Sequence, residues 1–186
     1  VMFSTASSPI SAMGSRNSPV PVQVGSGIPT KIRDYVYCLP FNDFDAVEQC
    51  LNDHHGEIAA LLVEPCLGNI VGIEPKDGFL QHLRNLCDKY NVVLIFDEVK
   101  TGFRLSNGGA RETYEVIPDI STYAKSLGNG VPVAAFGGKS EVMNVIGGGS
   151  VAHAGTFGGN GVSMSAANAV LDLSLIHISE PTRPRE

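Results

Sequence analysis

The sequence predicts an α/β fold: a mostly parallel sheet with helices on both faces. Two observations predict it. Apolar runs of strand length, at 58–63 and 92–96, show no alternation, as expected of strands buried on both sides. Amphipathic helical patterns separate those runs, which is the order of a layered α/β domain. A third observation gives the sheet a working edge. The run 92–96 ends in Asp97, and the run 120–124 ends in Lys125 before a glycine turn, about one strand–connection–strand unit later. An acid and an amine are thereby expected at the carboxyl ends of neighbouring strands, where open α/β sheets place their ligands.

The elements follow in order. Residues 1–30 are rich in Ser, Pro and Gly without periodicity and read as an irregular segment. Residues 35–39 are a short strand closed by Pro40. Asn42 or Asp43 then caps a helix with Phe44, Val47, Cys50 and Leu51 on one face. The run 58–63 is a strand that ends at Glu64-Pro65. A second helix over 78–90 turns Phe79, Leu80, Leu83, Leu86 and Cys87 inward, and the strand 92–96 follows it. Further strands are expected at 120–124 and 131–136. A last helix over about 160–171 is rich in Ala and Ser, which suits close packing. The chain has no internal repeat.

Residues from about 173 to 186 break the pattern. They resemble the peptide obtained when a sequencing adapter is read in frame, and Pro181 and Pro184 stop the helix. The expected organisation is therefore an irregular segment at 1–30, part of a large domain at 31–172, and a non-native tail at 173–186.

Composition excludes several classes. With 43% hydrophobic and 17% charged residues, the chain is globular rather than disordered. A net charge of −6 argues against nucleic acid or an anionic membrane as partner. Cys38, Cys50, Cys66 and Cys87 form no C-x-x-C pair and lack zinc-ligand spacing, so no metal is expected. Free thiols suit a reducing, cytoplasmic setting. No apolar run reaches the roughly 18 residues of a membrane span, and no signal peptide is visible. The chain opens on Val1 rather than Met, as a piece of a longer one would.

Asp97 carries the first candidate role. On position alone, a helix-capping or solvent-facing acid and a functional carboxylate are equally good readings of it. At an apolar strand end it is also placed to hold a protonated ring nitrogen by a charge-assisted bond. Glu98 points the other way and reads as structural. Val99 returns to the Asp97 side, where it can pack on a planar ring. Lys125 leaves an apolar strand for a glycine-rich turn, and partial desolvation there would lower its pKa and make it a nucleophile toward an aldehyde. Lys139, after two glycines, is its rival, but it lies in a polar run. An acid and a lysine so placed suit a Schiff-base lysine and the carboxylate that keeps an aldehyde cofactor's pyridine nitrogen protonated.

Other residues are less specific. The turn 155–160 offers backbone amides and the Thr156 hydroxyl to an anion, although ordinary capped helices look the same. Asn69, beyond Glu64-Pro65, reads as a loop residue or as a donor to a cofactor's phenolate oxygen. His54 and His55 read as solvated, and His153 as either solvated or part of the anion turn.

Leu61-Leu62-Val63-Glu64-Pro65, Leu94-Ile95-Phe96-Asp97-Glu98-Val99-Lys100-Thr101-Gly102-Phe103-Arg104, Pro118-Asp119-Ile120 and Ala154-Gly155-Thr156-Phe157-Gly158-Gly159-Asn160 occur in order. Together they resemble class III pyridoxal-phosphate aminotransferases, most closely the branch containing glutamate-1-semialdehyde 2,1-aminomutase. The resemblance spans about 30–172. It implies part of a fold-type I large domain with pyridoxal 5'-phosphate as cofactor. It also implies that Asp97 pairs with the pyridine nitrogen, that Lys125 forms the internal aldimine and that Val99 stacks on the ring. Thr156 would bind the cofactor phosphate of the neighbouring subunit in a homodimer. Substrates would be an amino acid or amine and a keto or aldehyde partner.

The family's upstream phosphate loop, its Tyr/His pair over the ring and its small C-terminal domain are absent, and Gly161 stands where proline is common. The expected function is amino transfer by a fragment of a longer enzyme. Intramolecular transfer by an aminomutase is the alternative, and an inert fragment is the reading of another class. A nucleotide-binding module is disfavoured, because neither a Walker loop nor a G-x-G-x-x-G turn is present.

Overall fold

The computed structural model describes residues 2–3, 29–68, 72–147 and 149–178. Five strands form one sheet in the order β1 (Met2–Phe3), β2 (Ala60–Val63), β3 (Val93–Asp97), β4 (Ile120–Tyr123) and β5 (Ala135–Gly138). The first three pairings are parallel, and β5 runs antiparallel to β4. The sheet is thus mostly parallel, as expected, with one reversed strand.

Helix α1 (Phe44–Asp53) starts where Asp43 accepts the Ala46 N–H at 3.1 Å, the side-chain cap the sequence predicts. Helix α2 (Phe79–Tyr90) ends at Asn91, whose left-handed φ of 55° turns the chain straight into β3. The apolar faces of both helices meet one face of the sheet. Val47, Leu61, Val63, Phe79, Leu83, Leu94 and Phe96 are fully buried between them. Phe41 and Phe44 stand edge-on to Phe79, each at 5.2 Å, a favourable aromatic geometry. On the other face, Leu62, Val93, Ile95 and Asp97 are half-buried, so burial alternates along β2 and β3.

Two sequence expectations change. Residues 35–39 are not a strand: a 3-10 helix spans Thr30–Tyr35, and Cys38 is a single β-bridge residue. The fifth strand lies at Ala135–Gly138 rather than 131–136, because Pro132 has no N–H to give and pairing with β4 selects the stretch beyond it. The polar run after it is helix α4 (Ser140–Gly147), and a short helix α3 (Ala110–Thr113) precedes β4. Helix α5 (Gly161–Ile178) is the expected last helix, continued further. Its small residues pack as predicted: Ser163 and Ala167 are buried one turn apart, and Ser163 Oγ donates to the Pro132 carbonyl at 2.9 Å.

Candidate active site

Parallel pairing brings the carboxyl ends of β3 and β4 side by side, with Asp97 opposite Thr122. Asp97 Oδ1 accepts from the Val99 N–H at 3.1 Å and from Thr122 Oγ1 at 3.4 Å. Both bonds fall on one oxygen, so among the described residues Oδ2 takes no hydrogen bond. This is a carboxylate oriented by its neighbours with an acceptor to spare. Val99 is half-buried beside it.

Two residues beyond β4, Lys125 opens a 3-10 helix (Lys125–Leu127). Its φ of 42° lies in the left-handed region, uncommon for a residue with a Cβ. Its carbonyl closes the following turn by accepting from Gly128 N at 3.2 Å and Asn129 N at 2.9 Å. Among the described residues five other non-glycine residues share this region, so the conformation belongs to the turn that follows Lys125. The expected partial desolvation is not found: Lys125 is exposed. Next to it Ser126 Oγ is buried and has no hydrogen-bond partner among the described residues.

Between β3 and α3 the chain makes a tight loop. The Gly102 N–H donates to the Glu98 carbonyl at 2.9 Å, and a Cβ on Gly102 would meet the Tyr123 ring at 2.6 Å. Only glycine fits that approach. Glu98 is fully buried on the face opposite Asp97, as the alternation of a strand requires. Its Oε2 accepts from the Ala110 N–H at 2.6 Å and from Thr101 Oγ1 at 3.5 Å, and its Oε1 accepts from Ser121 Oγ at 3.5 Å. Burial pushes its carboxyl above the usual range, against the pull of these bonds.

The rival lysine is at the other end of the sheet. Because β5 is antiparallel, Lys139 returns to the amino end of β4, where its Nζ meets Asp119 Oδ1 at 2.7 Å. Asp119 Oδ2 is held by Arg84 Nη1 at 2.9 Å and the Leu94 N–H at 2.7 Å, and Arg84 Nη2 also meets Asp88 at 2.7 Å. Burial of Asp119 favours its neutral form, but bonds from Lys139, Leu94 and Arg84 outweigh it and hold the carboxyl below the usual range.

The remaining candidates divide. Thr156 lies in an exposed turn whose Asn160 caps α5, its Oδ1 accepting from Val162 N at 3.1 Å and Ser163 N at 3.2 Å. Among the described residues no hydrogen bond ties Thr156 to Asp97 or Lys125. Asn69 lies outside the described residues. Glu64 Oε2 accepts the Gly68 N–H at 3.1 Å. His54 is half-buried rather than solvated and stacks on Tyr37 at 4.3 Å. His55 meets Tyr90 at 5.5 Å, and His153 meets Phe136 at 5.1 Å. The four cysteines are buried and outside any disulfide, and burial raises the thiols of Cys50 to about 11 and Cys87 to about 12, so neither is a ready nucleophile. Clefts of about 480, 210 and 400 Å³ lie elsewhere and are not lined by Asp97 or Lys125. The acid–lysine pair stands on an open sheet edge.

A fold with a parallel sheet, an oriented carboxylate at one strand end and a lysine at the next defines a class that binds its ligand at a sheet edge. Comparison narrows it. The model of the class III aminotransferase family matches residues 29–177, and the chain belongs to that family. It is similar to an omega-transaminase from Sphaerobacter thermophilus, with 38% identity and a TM-score of 0.77 over 83% of this chain and 36% of that one. A structure described as a transaminase with PLP bound has 29% identity and a TM-score of 0.78, over 84% and 37% of the two chains. Acetylornithine aminotransferase from Elizabethkingia anophelis has 38% identity and a TM-score of 0.71, over 76% and 37%. The chain thus spans little more than a third of the length of these proteins. The family depends on pyridoxal phosphate.

Proposed function

We propose that this chain is the ring-binding part of a pyridoxal-phosphate transaminase, with Lys125 as the residue that bonds the cofactor and moves the proton. One observation carries this reading. Asp97, oriented with Oδ2 to spare, and Lys125, at positive φ, share the carboxyl edge of β3 and β4, while the rival Lys139 is paired at the opposite edge. The residues fit the cofactor: a spare carboxylate oxygen suits a ring N–H, and the buried Ser126 hydroxyl next to Lys125 has no partner among the described residues.

When bound, pyridoxal phosphate supplies an aldehyde carbon that bonds amines and a ring that accepts the electrons of the bond broken at the substrate carbon. Asp97 would accept the ring N–H on Oδ2, which would favour the protonated ring. Lys125 would be the residue that holds the cofactor through its Nζ, and the same Nζ would accept the proton from the substrate's α-carbon. Val99 would lie against the ring face, and Asn69, which is outside the described residues, is assigned by the family resemblance as donor to the phenolate oxygen. Thr156 is assigned to the phosphate of a neighbouring subunit in a homodimer, which agrees with its exposure and its lack of bonds to this chain's own edge. The substrates are an amine or amino acid and a keto or aldehyde acceptor. Four cysteines outside any disulfide suit the cytoplasm. Among the described residues no helix is long and apolar enough to cross a membrane.

Transaminases among the similar structures favour transfer between two molecules over the aminomutase alternative. The inert-fragment reading draws on the short coverage of those relatives. One experiment separates the readings: load the chain with pyridoxal phosphate, add an amino donor, and assay the keto product. Product supports transaminase activity. A loaded chain that releases none is the inert fragment, and a chain that does not load at all contradicts the cofactor site.

A further inference from the structure

We infer that Glu98 is a positioning residue, locking the loop 99–109 and the end of β4 to β3 so that Asp97 keeps both of its orienting donors. The inference deepens the cofactor reading above and rests on it. Asp97 and Glu98 are consecutive, face opposite sides of the sheet, and each engages a hydroxyl of β4: Thr122 bonds Asp97 and Ser121 bonds Glu98. The same two acids also hold both ends of the loop. Asp97 takes the Val99 N–H, and Glu98 takes the Ala110 N–H where α3 begins.

Glu98 is fully buried, yet among the described residues it makes no ion pair and only Arg111 acts on it through charge. A buried carboxyl without a paired cation is costly unless hydrogen bonds compensate. Here three donors offset part of that cost, from the loop, from α3 and from β4. The backbone is shaped to the carboxyl as well: a Cβ on Gly109, at φ 69°, would fall on Glu98 Oε2. Releasing Glu98 would free the loop at Ala110 and the strand at Ser121. Both donors to Asp97 are carried by those same two segments.

The test compares the unaltered chain with Glu98→Leu and Glu98→Gln. Leucine is near in size and suits a buried site, but it leaves the Ala110 N–H unsatisfied. Glutamine can accept that N–H with its oxygen and donate its NH2 to Ser121 Oγ. Amide hydrogen exchange should show Val99 and Ala110 about tenfold faster in the Leu variant, with Leu94 and Phe96 changed less than about twofold. The Gln variant should restore protection at Val99 and Ala110. Borohydride-trapped pyridoxal phosphate at Lys125 should form about tenfold more slowly in the Leu variant.

Unchanged exchange at Ala110, or equal acceleration of Leu94 and Phe96, overturns the positioning role. An unaltered chain that takes no adduct at Lys125 overturns the cofactor reading, while the exchange pattern still judges Glu98 by itself.

Discussion

The two ends of the β3–β4 pair each hold an acid and a lysine, and they are built in opposite ways. At the amino end, Asp119 is bonded on both oxygens, by Lys139, Arg84 and the Leu94 N–H, and it ties α2, β3, β4 and β5 together. At the carboxyl end, Asp97 is bonded on one oxygen, and Lys125 is exposed on a turn with strained backbone. The same residue types serve stability where their charges are satisfied within the chain. They are available for chemistry where they are not.

That contrast can be broken at either end, and the largest effect is expected at Lys125. Lys125→Ala should abolish borohydride-trapped pyridoxal phosphate at this edge, and peptide mapping that finds undiminished labelling there would show another residue in its role. Asp97→Asn should come next, slowing amino transfer by the loaded chain roughly hundredfold, the scale expected for losing one aligned electrostatic partner. Its melting temperature should stay near that of the unaltered chain, since Asp97 is only half-buried. A large loss of stability would place Asp97 with the structural acids.

At the opposite end the effects belong to folding. Asp119→Asn should destabilise the chain by about 3 kcal/mol in denaturant titration, because Arg84 loses the partner that compensates its burial. The pH dependence has a definite sign. The folded Asp119 carboxyl is held below its unfolded value, so its stabilisation is fully present above the ordinary aspartate value of about 3.9. That contribution is lost as pH falls through the lower, folded value. Melting curves should therefore show an acid-side slope that the Asn variant lacks. Lys139→Ala is the smallest expected change, about 1 kcal/mol or less, because the lysine is 43% exposed and its pair is partly screened. Labelling at Lys125 should survive it.

The carboxyl end was legible in the sequence and the amino end was not. Asp97 closes an apolar run, and Lys125 precedes a glycine turn, both of which are local patterns. The Asp43 cap and the inward faces of α1 and α2 were legible for the same reason. The Asp119 cluster joins residues as far apart as Arg84 and Asp119, which no local pattern reveals. Glu98 was read correctly as pointing away from Asp97, but its bond to Ala110 depends on how the loop closes. The strand at Ala135–Gly138 contains two glycines and exists by pairing with β4, so propensity placed it too early. The stretch 35–39 shows the converse, a β-prone composition that the fold uses mainly as a connection.

The contrast between the two ends comes down to which lysine is free to react. The most direct measurement is the ratio of borohydride-trapped pyridoxal phosphate on Lys125 to that on Lys139 in the unaltered chain, read by peptide mass spectrometry at limiting cofactor. The account predicts that the adduct lies overwhelmingly on Lys125. Equal labelling of the two lysines, or a preference for Lys139, would contradict it.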